Sequence, residues 1–409
     1  MLLQTYEVCP DRRLQISTLK HTLVLIGIAV YGMDRPGIIC GMSEVLAKRG
    51  LNIIDIEQTV LQGLFVMFIV AEAENVDIEE LKRELTSKGE KLGVNVSVSP
   101  FERKSSDEKN LYVLTVLGED RVGIVYSITR ILYEMGINIE RTNLTARDRL
   151  ISIEFLIDMG KSDVEEVKRR LKEEVESRGL DVVIQPYSLF QRNKRLIVFD
   201  MDSTLVDAEI IDELAKAAGV EDEVKELTRK AMNGEIDFKE ALRERVKLLK
   251  GLPVDVLERI YSEIKLTEGA KELIKSLKES GYRVALVSGG FTYFTDRLKE
   301  ELGLDYAFGN ELEIKDGKLT GRLKGRIIDA EEKARIIEEL ARKEGISREN
   351  VVAVGDGAND RIMIENAGLG IAFNAKKALK EVADGTLSKD HLIGLASVLK
   401  LQTEFKKRV

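Results

Sequence analysis

The feature of this sequence that most restricts its fold is an internal repeat. "GMDRPGIICGMSEVLAKRGLNI" at 32–53 returns as "GEDRVGIVYSITRILYEMGINI" at 118–139. The offset is constant at 86 residues: Asp34 and Asp120, Gly37 and Gly123, Leu46 and Leu132, Gly50 and Gly136, Asn52 and Asn138. It runs on without a gap through Glu79/Glu165, Leu85/Leu171, Gly93/Gly179 and Pro100/Pro186. Such a duplication is one structural unit used twice.

Each copy spells strand, helix, strand. A β-rich run (Leu23–Val30; Leu111–Leu117) leads to an Asp-Arg-x-Gly turn, an amphipathic helix and a glycine stop before a second strand. A third strand (Leu64–Ala71; Leu150–Ile157), a charged helix (Ile78–Lys88; Val164–Ser177) and a closing strand (Val94–Val98; Leu180–Ile184) follow. That order, βαββαβ, is the α+β ferredoxin-like unit. With the Asp-Arg-x-Gly and Gly-x-Asn signatures, both copies resemble ACT domains, over about residues 22–188. The resemblance implies amino-acid-sensing modules that pair edge to edge, and hence a homodimer with an amino-acid effector such as serine. At Gly37 and Gly123 the backbone can approach a ligand closely, and the helix N-terminus beyond offers N–H groups to an α-carboxylate. Asp34, Asp120, Asn52 and Asn138 can accept hydrogen bonds from an ammonium. The same residues also suit plain turn and helix-cap roles.

Polar connectors at 101–110 and 190–195 divide the chain into an N-terminal extension (1–20), two repeats (21–103 and 107–190) and a third region (194–409). In this last region the strands become continuous apolar runs, "RLIVFD", "RVALVSGG", "VVAVGDG" and "GLGIAF", separated by helices. A parallel sheet covered on both faces reads this way. Residues 1–20 carry no recognisable motif.

"LIVFDMDST" ends a buried strand with Asp200 and Asp202, where an open α/β sheet places its ligands. Ser288 and Gly289 follow "RVALV", Lys333 lies on a helix starting near Ala330, and "GDGAND" supplies Asp356, Asn359 and Asp360. The order DxDxT, Ser, Lys, GDxxND resembles the haloacid dehalogenase superfamily of phosphotransferases, whose sheet is Rossmann-like. Phosphate monoesters hydrolyse so slowly that catalysis rests on positioning and charge stabilisation. A carboxylate nucleophile divides the task into two displacements. Its repulsion from the phosphate calls for a hard dication, and carboxylates are the ligands that Mg²⁺ prefers.

The resemblance implies Asp200 as nucleophile and Asp202 as general acid and base. Asp200, Asp202 (through its carbonyl) and Asp356 would be the Mg²⁺ ligands. Ser288, Gly289 and Lys333 would hold the phosphoryl oxygens, Asn359 would orient substrate, and Asp360 would brace Lys333 or a metal-bound water. Between the first two motifs, about 207–267, the sequence reads as helices, matching the cap of one subgroup. "DMDSTLVDAEIIDELA" and "AMNGEIDFKEALRERV" resemble the phosphoserine phosphatase group, the likeness covering about 197–390. It implies Glu209 for the substrate ammonium, Arg245 for its carboxylate, and Met232 and Phe238 as an apolar wall. Met232 and Phe238 also fit an ordinary helical core. A related phospho-amino acid such as phosphohomoserine, transfer to another alcohol, or an inert phosphatase fold serving as a sensor are the alternatives.

Composition narrows the field. The formal charge is -8, from 63 Lys+Arg and 71 Asp+Glu, which disfavours a nucleic-acid partner. Two cysteines and two histidines provide neither a disulfide framework nor a zinc cluster. The longest apolar stretch, Leu23–Met33, is too short to span a bilayer, and the N-terminus lacks a signal-peptide pattern. The expectation is a cytoplasmic enzyme with no membrane partner.

Overall fold

The structure, a computed structural model, describes residues 23–74, 76–102, 109–147, 150–191, 195–233 and 235–401. The N-terminal extension lies outside them. The chain divides into two compact units, residues 1–107 and 108–409.

The first unit is one repeat: β1 (Leu23–Met33), α1 (Ile38–Lys48), β2 (Asn52–Leu61), β3 (Leu64–Glu74), α2 (Ile78–Leu92) and β4 (Val94–Pro100). Its antiparallel sheet has the order β2-β3-β1-β4. Alternation along β1 and β3 sends Ile26, Ile28, Val30, Phe65, Met67 and Ile69 to one face, where they pack on Ile38, Met42 and Leu46 of α1 and Leu81 and Leu85 of α2.

The second unit opens with the other repeat: β5 (Leu111–Gly118), α3 (Ile124–Glu134), β6 (Asn138–Arg147), β7 (Ile151–Asp158), α4 (Val164–Ser177) and β8 (Leu180–Pro186). After the short α5 (Tyr187–Phe190) comes β9 (Leu196–Phe199). Four helices follow: α6 (Ile210–Ala218), α7 (Glu221–Met232), α8 (Phe238–Leu248) and α9 (Val254–Glu263). Next are α10 (Ala270–Glu279), β10 (Arg283–Phe291), α11 (Thr292–Leu302), β11 (Tyr306–Lys315) and β12 (Lys318–Lys324). The chain ends with α12 (Ala330–Lys343), β13 (Val351–Gly355), α13 (Arg361–Asn366), β14 (Leu369–Phe373), α14 (Lys377–Val382), β15 (Gly385–Leu387) and α15 (Leu395–Val398).

One sheet runs through this whole unit, in the order β12-β11-β10-β9-β13-β14-β15-β8-β5-β7-β6. Its centre, β11 to β15, is parallel, as the continuous apolar runs predict. The sequence pattern did not announce the seam where the repeat joins the parallel sheet. There β15 meets β8 antiparallel, with Gly385 opposite Val183 and Ile184 N–H donating to Asp384 O at 2.9 Å. Around it, Ser388 donates from its backbone N–H and hydroxyl to Asp181, and Lys172 donates to the carbonyls of Lys380 and Ala383. Leu117 and Val183 belong to the same core as Ile197, Phe199 and Leu392.

The hairpin β11–β12 is also absent from the pattern reading. It supports the four-helix insertion: Gly251 and Leu319 exchange backbone hydrogen bonds with Leu319 and Leu252, at 2.8 and 2.9 Å. The two chain segments leading into and out of the insertion lie side by side, with Val206 bridging Leu266, Asp207 N–H donating to Lys265 O and Thr267 N–H to Leu205 O. Among the described residues, no helix is long and apolar enough to cross a membrane.

Candidate active site

Strand β9 is flanked by β10 on one side and β13 on the other, so strand order reverses there. At such a switch point the loops beyond the carboxyl ends part and leave a crevice. Asp200 leaves β9 and Asp356 leaves β13 into this crevice, and Asp200 N–H donates to Val354 O at 2.9 Å.

The Asp200 carboxylate is almost fully buried. Its Oδ1 accepts from Met201 N–H at 2.7 Å and lies 2.9 Å from Lys333 Nζ. Lys333, wholly buried on α12, also meets Asp360 Oδ1 at 2.7 Å. Burial opposes its charge, but the two carboxylates outweigh burial and hold the ammonium above the ordinary lysine range. The other oxygen of Asp360 accepts the N–H groups of Asp356 and Gly357, both at 3.1 Å. Asp360 therefore spends both oxygens bracing the loop and Lys333. Asn359 Nδ2 stands 3.5 Å from Asp200 Oδ2, at the outer limit of a hydrogen bond.

Asp202 accepts the N–H of Ile210, at the start of α6, at 2.9 Å, and faces the Ser288 hydroxyl at 3.4 Å. Burial first, then the charges of Glu209 and Asp200, push its carboxyl well up. Asp356 is pushed up to about 8 by burial and by the neighbouring Asp200, Asp360 and Glu209. The carboxylate oxygens of Asp200, Asp356 and Asp360 come within 4.8 Å of one another. Five acids, Asp200, Asp202, Glu209, Asp356 and Asp360, thus outnumber two bases, Lys333 and Arg245, and crowd hard oxygen donors together.

On β10 the ladder breaks after Val287, and Ser288, Gly289 and Gly290 bulge towards Asp202. The buried Ser288 hydroxyl accepts Gly290 N–H at 2.7 Å. A Cβ on Gly290 would stand 2.6 Å from Met201 Cε and 2.9 Å from Asp202 Oδ2, so a larger residue there would displace site side chains.

The cap side chains face the same crevice. Arg245 on α8 is buried, and it donates to the Ala241 carbonyl and the Thr228 hydroxyl, both at 3.4 Å. Among the described residues no carboxylate pairs with it directly, and burial draws its pKa down against the pull of Asp212, Glu209 and Asp202. Glu209 opens to solvent on one side but is crowded on the others. That crowding, with the charges of Asp200 and Asp212, raises its carboxyl, although Ser203 donates its hydroxyl to Oε1 at 2.8 Å. Phe238 at the start of α8 packs over Gly289, its Cζ 3.4 Å from where a Cβ would stand. Next to it Lys239 forms an ion pair with Asp329 across the crevice, at 2.7 Å. Met232 ends α7, but its side chain lies outside the described residues.

The structure thus brings Asp200, Asp202, Glu209, Phe238, Arg245, Ser288, Gly289, Lys333, Asp356, Asn359 and Asp360 to one crevice. Sequence reasoning missed Ser203, which holds a left-handed φ of 53°, and Gly290. The doubled glycine in "SGG" was the available signal for the second; a backbone angle leaves none for the first.

The repeat residues lie elsewhere. Gly37 and Gly123 both have φ 96° and begin α1 and α3 with open space around them. Asp34 and Asp120 are not the N-caps of those helices. Asn52 donates to Glu72 at 3.0 Å and Asn138 to Glu140 at 2.8 Å.

A capped parallel sheet presenting this acid cluster defines a haloacid dehalogenase-like hydrolase, and residues 194–368 match that family. Residues 24–99 and 112–176 match ACT domains. The chain is 72% identical over 346 residues to a phosphoserine phosphatase of Archaeoglobus fulgidus, covering 85% of this chain and all of that one. It is 39% identical over 359 residues to a phosphoserine phosphatase of Streptomyces coelicolor, covering 87% of each. A hydrolase of the same superfamily from Salmonella enterica superposes with a TM-score of 0.63 at 29% identity, covering 71% of this chain and 99% of that one. The chain belongs to the phosphoserine phosphatase family and is an enzyme.

Proposed function

We propose that the enzyme hydrolyses O-phospho-L-serine to L-serine and phosphate, the last step of making serine, with Mg²⁺ as its cofactor. One observation carries the reading. Among the described residues, Arg245 is buried with no carboxylate hydrogen-bonded to it, while the charges of Asp212, Glu209 and Asp202 act on it from nearby. A guanidinium buried without an ion pair is costly, and the α-carboxylate of an amino acid offsets that cost. Glu209 takes the ammonium, and Phe238 with Met232 walls the pocket.

Asp200 and Asp356, with the Asp202 carbonyl, would hold the ion, since Asp360 is already engaged. The donor set is all oxygen and its acids crowd one another, which fits a hard dication. When bound, the ion offsets repulsion between the Asp200 carboxylate and the phosphate. Asp200 attacks phosphorus, the bond from phosphorus to the serine oxygen breaks, and Asp202 gives that oxygen its proton. Water then attacks the aspartyl-phosphate, Asp202 takes the water's proton, and phosphate leaves as the bond to Asp200 breaks. Lys333, the Ser288 hydroxyl and the Gly289 N–H hold the phosphoryl oxygens as charge builds, while Asn359 orients them.

The two ACT domains (21–103 and 107–190) bind serine or another amino acid at Gly37/Asn52 or Gly123/Asn138 and regulate the hydrolase (194–409, cap 207–267). Asp34 and Asp120 assist in this. Pairing of ACT domains into a homodimer and operation in the cytoplasm complete the proposal.

The test is a panel of phosphomonoesters assayed with and without Mg²⁺ and free amino acids. D200N is expected to lose phosphate release by many orders of magnitude while staying folded, and near-normal turnover would remove the covalent step. R245A is expected to lose far more activity on phosphoserine than on an aryl phosphate; equal losses would make Arg245 structural.

A further inference from the structure

The bulge at Ser288–Gly290 leaves the Gly289 carbonyl without a ladder partner. On β10 and β11, Val287 pairs with Phe308, and the next pair is Phe291 with Asn310. Three residues of β10 therefore oppose one of β11, Gly309, and the ladder is locally disrupted there. The side chain of Asn310 fills the gap. It is 1% exposed, its Nδ2 donates to Gly289 O at 2.7 Å, and its Oδ1 accepts Ile328 N–H at 2.9 Å. A carbonyl on one side and an N–H on the other fix which end of the amide is which.

Ile328 is one residue before Asp329, which caps α12: Asp329 Oδ1 accepts Glu332 N–H at 2.9 Å and its carbonyl accepts Lys333 N–H at 2.8 Å. One buried amide therefore ties the loop carrying Ser288 and Gly289 to the start of the helix carrying Lys333. These loops come from strands and helices far apart in sequence, and the described contacts of Asn310 are with their backbones.

We propose that Asn310 is a positioning residue for phosphoryl transfer, setting the distance between the Ser288–Gly289 loop and Lys333. The inference rests on the reading that Ser288, Gly289 and Lys333 hold the phosphoryl oxygens. Because Asn310 acts on the phosphate end, its loss affects every phosphomonoester alike, in contrast to Arg245.

The test compares Asn310→Asp, which keeps the acceptor for Ile328 N–H but loses the donor to Gly289, with Asn310→Ser, which keeps a donor of shorter reach and adds no buried charge. Each is assayed with saturating Mg²⁺ on phosphoserine and on an aryl phosphate, with inorganic phosphate as competitive inhibitor. The expected result is a fall in kcat/KM on the order of 10²-fold, the same for both substrates, with weaker inhibition by phosphate. Unchanged kcat/KM and phosphate inhibition in either folded variant, even with a lowered Tm, would overturn the proposal, as would a loss confined to phosphoserine. Ser288→Ala, measured alongside, separates the two layers. If it too leaves turnover and phosphate inhibition intact, the underlying phosphate pocket is misassigned; if it alone is damaged, only the role of Asn310 fails.

Discussion

The two ACT copies share a fold and a register of 86 residues, yet their outer sheet faces have opposite fates. In the second copy Thr115, Leu117, Ser152, Glu154, Asp181, Val183 and Gln185 are all buried, and Leu117 and Val183 belong to the catalytic core. The matching positions of the first copy are Ala29, Tyr31, Val66, Phe68, Asn95, Ser97 and Ser99. Of these only Ala29 is even half-buried, while Tyr31, Val66 and Phe68 are 50, 41 and 44% exposed. The edge strand β8 is likewise paired to the hydrolase sheet, whereas β4 ends its own four-stranded sheet. Duplication supplied two equal modules, and one of them has become structural to the enzyme.

The largest effect that can break this contrast is a charge placed on the shared face. L117D buries a carboxylate in the catalytic core and is expected to cost more than about 4 kcal/mol, with loss of turnover. The matched Y31D is expected to stay within about 0.5 kcal/mol, since that side chain is half in water. Thermal unfolding with parallel activity assays reads both; similar losses would erase the difference between the copies.

Next in size is a pH dependence of opposite sign. Asp356 is pushed up to about 8, against about 4 in an unfolded chain. The folded catalytic unit then holds a proton that the unfolded chain has released, so without metal it loses stability as pH rises from about 4 to about 8. Mg²⁺ is expected to restore more at pH 8 than at pH 6. In the first ACT copy, Glu44 is held down at about 2 by hydrogen bonds from Lys48 and Lys88. Its contribution is in place above its ordinary range and fades only as pH falls towards 2. Melting the metal-free protein at pH 5 and pH 8 should destabilise the catalytic transition alone at the higher pH; a shift in the other direction would contradict the crowding of acids.

The smallest effect concerns Lys172, whose ammonium donates to two carbonyls of the hydrolase. K172A is expected to cost about 1.5–3 kcal/mol, the range for hydrogen bonds from charged groups, while T86A, its counterpart in the first copy, should change little. Equal effects would show that the seam does not depend on this contact.

Much of this was legible in the sequence because it was periodic or clustered. The repeat showed itself through Gly37/Gly123 and Asn52/Asn138, and the site through four motifs, three placed after apolar runs and the Lys333 one on a helix. The rest depends on contacts that no local pattern encodes. Strand β15 is three residues long and pairs with β8 some two hundred residues earlier in the chain. The hairpin β11–β12 did carry an Asp-Gly turn at Asp316–Gly317 and alternating Leu312 and Ile314, but neither run is continuously apolar like the central strands. Asn310 resembles any polar residue near a strand until the bulge opposite it is seen.

The paired segments at Val206 and Leu266 carry one more consequence. Because the chain leaves and re-enters the hydrolase at neighbouring ladder positions, about 4.5–5.5 Å apart, everything between them is joined covalently through one narrow stalk, and the β11–β12 hairpin braces it from the side. A different bundle with closely spaced ends can be grafted there without stretching the catalytic sheet. Evolution can thus exchange what the enzyme recognises while leaving untouched the machinery that cleaves.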